Sequence, residues 1–505
     1  MALIETSIVP KSAGYEQHKS AEYGQDGYKP GAPVQAKYRG TVADQREMHA
    51  LGRVQELRRN FKFVTFGLTD GGTAGLIYGF LVVLAGFMSP TSGGQYHWVS
   101  EFAPRSAQKY LSYISGYLVA TGWQLSICST AFLSGTIIQG LIVLNDPSYS
   151  PQPYQGTLLV WAVTVFCVLF NVFLARRLPF VEGVLLVIYI VGFFVIIVPL
   201  WVLAPRADAR TVFTTFNNAG GWNSKGTAFM VGLSGIIPGL AGYDCAVHMA
   251  EEIKDSSKTL PQAIVYGVMV NGVMGLIMVI TMCFTLGDPD SILSTTTGYP
   301  FIQVFFNATK SYAATNVMTA VIIVVFTSAV ISEIATSSRQ LWSFARDGGF
   351  PYSAFIAKIS RSQNIPLNAI SVSLAIVMLV SLINLGSTVA LNAINSITIS
   401  ALMSSYILTI SCVLLKRLRR QPLPARRWTL GRYGMAVNIG AIVFLLPMFV
   451  FAFFPLATPV KLASMNWGSV MFSGIVGLAT LYYVVWGHRQ YTPPVLITRR
   501  EGYDM

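Results

Sequence analysis

Apolar residues in this chain run in long blocks of roughly twenty positions, the length of a helical membrane span, separated by short polar stretches. The blocks fall at about 64–88, 112–140, 157–175, 180–203, 228–250, 264–287, 315–341, 368–385, 388–415, 435–455 and 467–487. They predict an all-α membrane protein of about eleven transmembrane helices. Barrel strands would instead alternate apolar and polar at every second residue. The eighth and ninth blocks are joined only by a tight turn around Leu385-Gly386-Ser387-Thr388.

Composition agrees with lipid as the main solvent. The 505 residues are 53% hydrophobic and 11% charged, with a mean hydropathy of +0.54, whereas a soluble domain carries about a quarter charged residues. Residues 1–59 are polar and rich in Gly, Lys, Glu and Gln, and are expected to form a disordered cytoplasmic tail. A transporter domain over 60–487 and a C-terminal cytoplasmic tail over 488–505 complete the expected organisation. No basic start followed by an apolar core marks a signal peptide. The net charge of +13 comes from basic residues in loops and tails, which suits anionic lipid headgroups and not nucleic acid. The five cysteines, Cys128, Cys167, Cys245, Cys283 and Cys412, all lie in apolar segments without metal-ligand spacing, and are read as small buried hydrophobes.

The distribution of Lys and Arg carries a topology. Ten of the 35 lie in the stretch up to Lys62. Twenty lie in the C-tail and in alternate loops, those with Arg105/Lys109, Arg176/Arg177, Lys254/Lys258, Arg339 to Arg361, and Lys416 to Arg432. The intervening loops hold five. Basic loops stay in the cytoplasm, so both chain ends are expected there, and an odd number of spans cannot satisfy that. One crossing is therefore expected to be missing; the alternative is that the long basic tail is translocated despite its charge, giving a true eleven-span protein. The single Asn-x-Ser/Thr site, Asn307-Ala308-Thr309, falls in an outward loop on this scheme.

Three segments carry candidate chemistry. Ser89-Pro90-Thr91-Ser92-Gly93-Gly94-Gln95-Tyr96-His97-Trp98-Val99 comes after the first span and is expected to form an interfacial elbow anchored by Tyr96 and Trp98. Gly235-Ile236-Ile237-Pro238-Gly239-Leu240-Ala241-Gly242-Tyr243-Asp244 interrupts the fifth span with glycines and a proline, which weaken a helix. At membrane depth a broken helix is tolerated where it lines a polar cavity, and its freed backbone groups can bind a substrate's polar ends. A kink for helix packing is the plainer reading. Asp244 is an intramembrane carboxylate that can attract a substrate ammonium, carry a proton or pair internally, and His248 lies one helical turn on, so the two can share a proton. Glu251 and Glu252 come next, at the exit, where Glu252 is expected to face Lys254 and Lys258. A metal set of His248, Glu251 and Glu252 lacks a second histidine. In the second span Trp123 and Gln124 either line a cavity or pack between helices. Glu333 sits in the seventh span beside the stripe Thr327, Ser328, Ser332, Thr336 and Ser337, either a helix seam or a cavity wall. Arg339, Arg346 and Asp347, in the segment Ser338 to Pro351, are candidates for an inside gate of paired charges, or serve topology alone. Asp70 is read as structural.

Pro90 to Trp98, Gly239 to Ile253 and Ser338 to Pro351 together resemble the amino acid–polyamine–organocation superfamily, and within it the fungal amino acid, choline and GABA permeases. The resemblance runs from about Asn60 to the C-tail. It implies twelve helices, the first ten in two inverted five-helix repeats, with the first and sixth broken around the substrate. The span 228–250 matches the sixth, Trp123 and Gln124 fall on the third, and Glu333 on the eighth. The first helix looks missing or truncated. After Asn60-Phe61-Lys62-Phe63 the chain passes at once to Gly67 to Gly75, which resembles the outer start of the second helix. The run before Ser89-Pro90 also lacks the acidic, Ala/Ser-rich stretch usual there.

The expected activity is secondary transport of amino acids or small amines such as choline or GABA, inward across the plasma membrane, by alternating access around residues 236–243. Ile236, Ile237, Pro238, Gly239, Leu240, Ala241, Gly242, Tyr243, Trp123 and Gln124 are the candidate substrate contacts. Asp244, His248 and Glu333 are candidates for proton or sodium coupling. No cofactor, catalytic constellation or nucleic-acid partner is expected, since paired histidines, a nucleophile elbow and a phosphate loop are missing from the sequence. The alternatives are a membrane sensor or regulator that keeps the fold without transporting, and an inactive product of an incomplete gene model.

Overall fold

The protein is described from a computed structural model, which covers residues 94–496 except 147, 215–220, 225–226, 228–230, 232–241, 243, 288–291, 293–294, 361, 386–389, 424–430, 456–457 and 461–464. The N-terminal stretch, the expected span at 64–88, Asp70 and most of 228–250 lie outside the described residues. Among those described, nine helices are long and apolar enough to cross a membrane, and they coincide with the other nine predicted spans.

In chain order the elements are α1 (Gln95–Phe102), α2 (Gln108–Asn145), α3 (Pro153–Phe173), α4 (Leu178–Leu203), α5 (Cys245–His248), α6 (Ser256–Thr285), α7 (Pro300–Thr309), α8 (Tyr312–Arg346), α9 (Leu367–Ser381), α10 (Ala390–Leu418), α11 (Gly434–Phe451) and α12 (Gly468–Tyr482). Several helices overrun the apolar block that predicts them: α2 has 38 residues and α8 has 35. Polar side chains carry them on because intrahelical bonds satisfy the backbone wherever the segment lies. Helix starts obey local chemistry. Pro153 opens α3, where its missing N–H costs nothing, and the Gln152 backbone N–H donates to Gln155 Oε1 at 3.0 Å in a capping box.

Packing sorts the helices into an inner and an outer set. On α2, α8 and α10 most residues near the middle are buried, including Trp123, Ile127, Val330, Ile397 and Ile410. The outer helix α4 leaves Phe180 and Val202 73% exposed, an apolar face suited to lipid. This also corrects one expectation. Cys128, Cys167, Cys245 and Cys412 are buried, but Cys283 is exposed, because an apolar membrane span has an apolar outer face and its composition does not imply burial.

Polar groups stitch the inner helices together, as expected where lipid removes the hydrophobic drive for association. Ser134 and Thr327 pair at 2.9 Å between α2 and α8, and Ser129 bonds Asn395 between α2 and α10. Asn171 Nδ2 donates to the Ile331 carbonyl at 2.9 Å, joining α3 to α8. Thr327 of the polar stripe therefore sits in a helix seam, as does Ser332, whose hydroxyl donates to Glu182 of α4 at 2.5 Å.

Close approach of α2 depends on glycine. A Cβ at Gly122 would lie 2.6 Å from the Leu402 side chain, and one at Gly116 would overlap the Phe344 ring. That ring cannot retreat, being boxed by Tyr96, Phe350 and Tyr491 at centroid distances of 5.1, 4.9 and 5.6 Å. Gly116→Leu is expected to destabilise the fold by about 1–3 kcal/mol or more through overpacking, visible as an earlier thermal unfolding transition in detergent.

The loops separate by charge. Lys109 Nζ donates to the His488 carbonyl at 2.6 Å, Lys416 Nζ to the Glu101 carbonyl at 2.8 Å, and Thr492 N to the Asp347 carbonyl at 3.0 Å. These contacts gather three of the basic loops and the C-terminal stretch at one end of the bundle. Two segments next to sparsely basic loops meet where Asn145 and Asn316 exchange hydrogen bonds.

The basic end is closed by packing. Tyr96 and Trp98, expected as interfacial anchors, are instead 0% and 1% exposed, because α1 lies under the loops and not along a lipid surface. Tyr491 from the C-terminal stretch is fully buried as well, with its hydroxyl 2.6 Å from Ser112 Oγ.

Candidate functional site

The chain enters α5 through Gly242, whose φ of +102° lies in the region that favours glycine. Of the residues 236–243 expected to hold substrate, only Gly242 is among those described; Ile236, Ile237, Pro238, Gly239, Leu240, Ala241 and Tyr243 are not. Beyond Gly242 the backbone forms the short helix α5 and then a 3₁₀ turn over Ala250–Glu252, not a continuous rod.

Asp244 is 1% exposed and is gripped from two directions. The Gln95 side-chain amide of α1 donates to Oδ2, and the Tyr406 hydroxyl of α10 donates to Oδ1 at 2.8 Å. His248 Nε2 stands 3.6 Å from the same Oδ2. The imidazole meets the Trp123 ring edge-on at 5.7 Å. One carboxylate thus joins α1, α5 and α10, with an imidazole and an indole from α2 beside it.

Gly94 makes this possible. Its φ is +53°, and a Cβ there would sit 2.7 Å from His248 Cε1. Gly94→Ala is therefore expected to strain the turn into α1 and push the imidazole from Asp244. The His248 ring resonances, read by NMR at one pH, should move relative to the parent while the helical content stays constant.

Below this cluster two ion pairs fix α8 to the end of the α5 segment. Arg339 Nε lies 2.7 Å from Glu252 Oε1, with side chains 3% and 8% exposed. Arg346 grips both oxygens of Glu251, at 2.9 and 3.4 Å, and stacks 4.2 Å over the Trp342 ring. Glu252 thus faces Arg339, contrary to the expectation that it faces Lys254 and Lys258. Arginine's rigid fork wins a buried carboxylate that a flexible surface lysine would have to be desolvated to reach. Asp347 accepts from the Tyr96 hydroxyl at 2.8 Å, so three acidic–basic or acidic–phenolic links close the basic end. His248, Glu251 and Glu252 each turn to a different partner and do not converge as metal ligands.

Glu333 is placed higher on α8. Its Oε1 accepts from Ser126 at 2.8 Å and Thr130 at 3.1 Å, both on α2. Trp123 and Gln124 diverge. Trp123 meets His248, while Gln124 lines a separate lateral cavity.

Three participants escape the sequence reading. Gln95 lies in a motif the sequence singles out, but its acceptor is 149 positions away. Tyr406 is one hydroxyl on a helix already crowded with serines. Glu182 carries a usable signal, a carboxylate inside the predicted 180–203 span. It is 1% exposed and accepts from Ser332 at 2.5 Å.

The chain has relatives among known proteins. The amino acid permease family matches residues 63–480. A choline transporter of Saccharomyces cerevisiae is 29% identical over 439 residues, covering 84% of this chain and 77% of its own length. The amino-acid permease BAT1 of Arabidopsis thaliana is 28% identical, covering 85% and 88%. Amino-acid permease 2 of Neurospora crassa is 26% identical, covering 85% and 81%. The chain is thus a multi-pass integral membrane transporter and not an enzyme, and it belongs to the amino acid permease family, within the amino acid–polyamine–organocation superfamily.

Proposed function

We propose that this protein carries amino acids or a small amine such as choline or GABA inward across the plasma membrane, by alternating access around residues 236–243. The observation that supports this most is the clamp on Asp244. A segment that begins at a left-handed glycine is held on one side by α1 and α10 and on the other by the arginines of α8. A piece of chain so placed can move as a unit if those links break together. Backbone groups at 236–242 then meet the polar ends of the substrate, and Tyr243 and Trp123 supply aromatic walls that suit a cationic head.

Asp244 is not a free counter-ion for an ammonium, because Gln95 and Tyr406 already donate to it. It serves better as a proton partner for His248, with Glu333 as a second candidate for coupling and sodium as the alternative ion. The pairs Arg339–Glu252 and Arg346–Glu251 act as the inside gate. Burial costs such pairs much of their Coulomb gain, so they close the path without locking it.

Labelled choline and a panel of amino acids, offered to cells without their own uptake systems, test this. One substrate should enter saturably, faster at lower external pH. Uptake should vanish with Gly239→Leu, which both stiffens and fills the expected break. A Gly239→Leu protein that transports like the parent contradicts the reading.

A further inference from the structure

A lateral cavity of about 460 Å³ lies between α2, α8, α9 and α12, within the roughly 300–1,000 Å³ of small-molecule sites. It does not share Trp123, His248 or Asp244 with the cluster above. Its walls include the rings of Tyr117, Phe350 and Tyr482, and no charged residue lines it. Leu478 lines it too and is 69% exposed, on the outer face of α12 where Leu481 is 60% exposed. In a membrane that face meets hydrocarbon, so the mouth opens to the bilayer.

Thr121 and Gln124 break the apolar pattern. Gln124 is part of the lining and 5% exposed, and neither atom of its amide has a hydrogen-bond partner among the described residues. A buried amide without partners is costly, and in hydrocarbon no water relieves it. Both amide atoms are shielded by neighbouring side chains in this structure; rotated into the cavity, the amide offers one donor and one acceptor. A hydroxyl group answers both, donating to Oε1 while accepting from Nε2.

We infer that this cavity binds a membrane sterol, with the sterol hydroxyl paired to the Gln124 amide and the ring system against Tyr117, Phe350 and Tyr482. The uncharged lining rejects an amino acid, whose carboxylate would be stranded. A rigid fused-ring alcohol also loses less freedom on binding than a flexible acyl chain, and only the alcohol satisfies the amide.

The test uses the full chain reconstituted in vesicles with a photoreactive, clickable sterol. The expected result is saturable labelling that maps to α2 or α12 and is displaced by unlabelled sterol. Gln124→Leu should weaken binding by about tenfold, the scale of one buried hydrogen bond, with thermal unfolding no earlier than the parent's. An otherwise identical sterane without the hydroxyl should compete about tenfold less well with the parent and equally well with Gln124→Leu. Leu478→Trp, an exposed site at the mouth, should reduce labelling without affecting the fold. Equal labelling of the parent and both variants overturns the inference. So does equal competition by the sterane, or labelling by a phospholipid probe alone. The readout is binding, so it stands apart from whether the protein transports.

Discussion

Arg339→Glu is expected to abolish uptake and to lower stability by about 3–5 kcal/mol, the cost of leaving a buried charge without its partner. Both side chains of the Arg339–Glu252 pair are less than a tenth exposed, so water cannot take over the lost bond. The variant also places two carboxylates face to face. Adding Glu252→Arg should restore most of the stability, because the charges are exchanged and the geometry is kept in part. A double-mutant cycle on thermal unfolding and on uptake measures the coupling directly. An uptake defect that persists in the stable double variant would mean that the positions matter beyond their attraction. Equal stability of Arg339→Glu and the parent would mean that the pair is not formed.

Asp244→Ala is the second large effect. It removes the acceptor shared by Gln95 and Tyr406, and each donor is left buried. An orphaned buried donor costs about 1–3 kcal/mol, so the expected loss for the two donors is about 2–6 kcal/mol, together with complete loss of uptake. Asp244→Asn separates the two roles. It keeps one acceptor and the shape but cannot carry the proton. We expect it to fold, to retain substrate binding, and to lose accumulation driven by a proton gradient. Tyr406→Phe removes one donor and leaves the carboxylate, so it should only weaken transport. If Asp244→Asn accumulates substrate against a gradient as the parent does, the proton role belongs elsewhere, with Glu333 the next to test.

Much of the scaffold is legible in the sequence, because membrane burial writes itself as uninterrupted apolar length. The nine described spans come from that alone, and the alternation of basic loops predicts which ends meet. The limits arise from the same physics. In lipid both faces of a helix are apolar, so nothing in the local pattern separates Cys283, exposed, from Cys167, buried. Aromatic rings serve equally at an interface or in a core, and Tyr96 and Trp98 are in the core. Long-range pairing is the other loss. Asp244 announces itself as a costly carboxylate, but the donors that hold it come from residues 95 and 406, and nothing near either position encodes the meeting. Arg339 and Arg346 are visible as candidates for a gate. Their choice of Glu252 and Glu251 depends on how α8 crosses the α5 segment. Glu182 is the instructive miss. The rule that marks Asp244 and Glu333 applies to it equally, but its place near the start of α4, beside Arg177, disguises it as an interfacial charge.

Passage of a solute through this bundle is read most plainly from the purified full chain, sealed into vesicles under an inward proton gradient and offered a labelled panel of choline, GABA and amino acids. Saturable accumulation of at least one of them is expected, ended by a protonophore and missing from Asp244→Asn vesicles. Protein that retains its helical content and unfolding transition, but accumulates none of the panel above empty vesicles, would refute transport as its role.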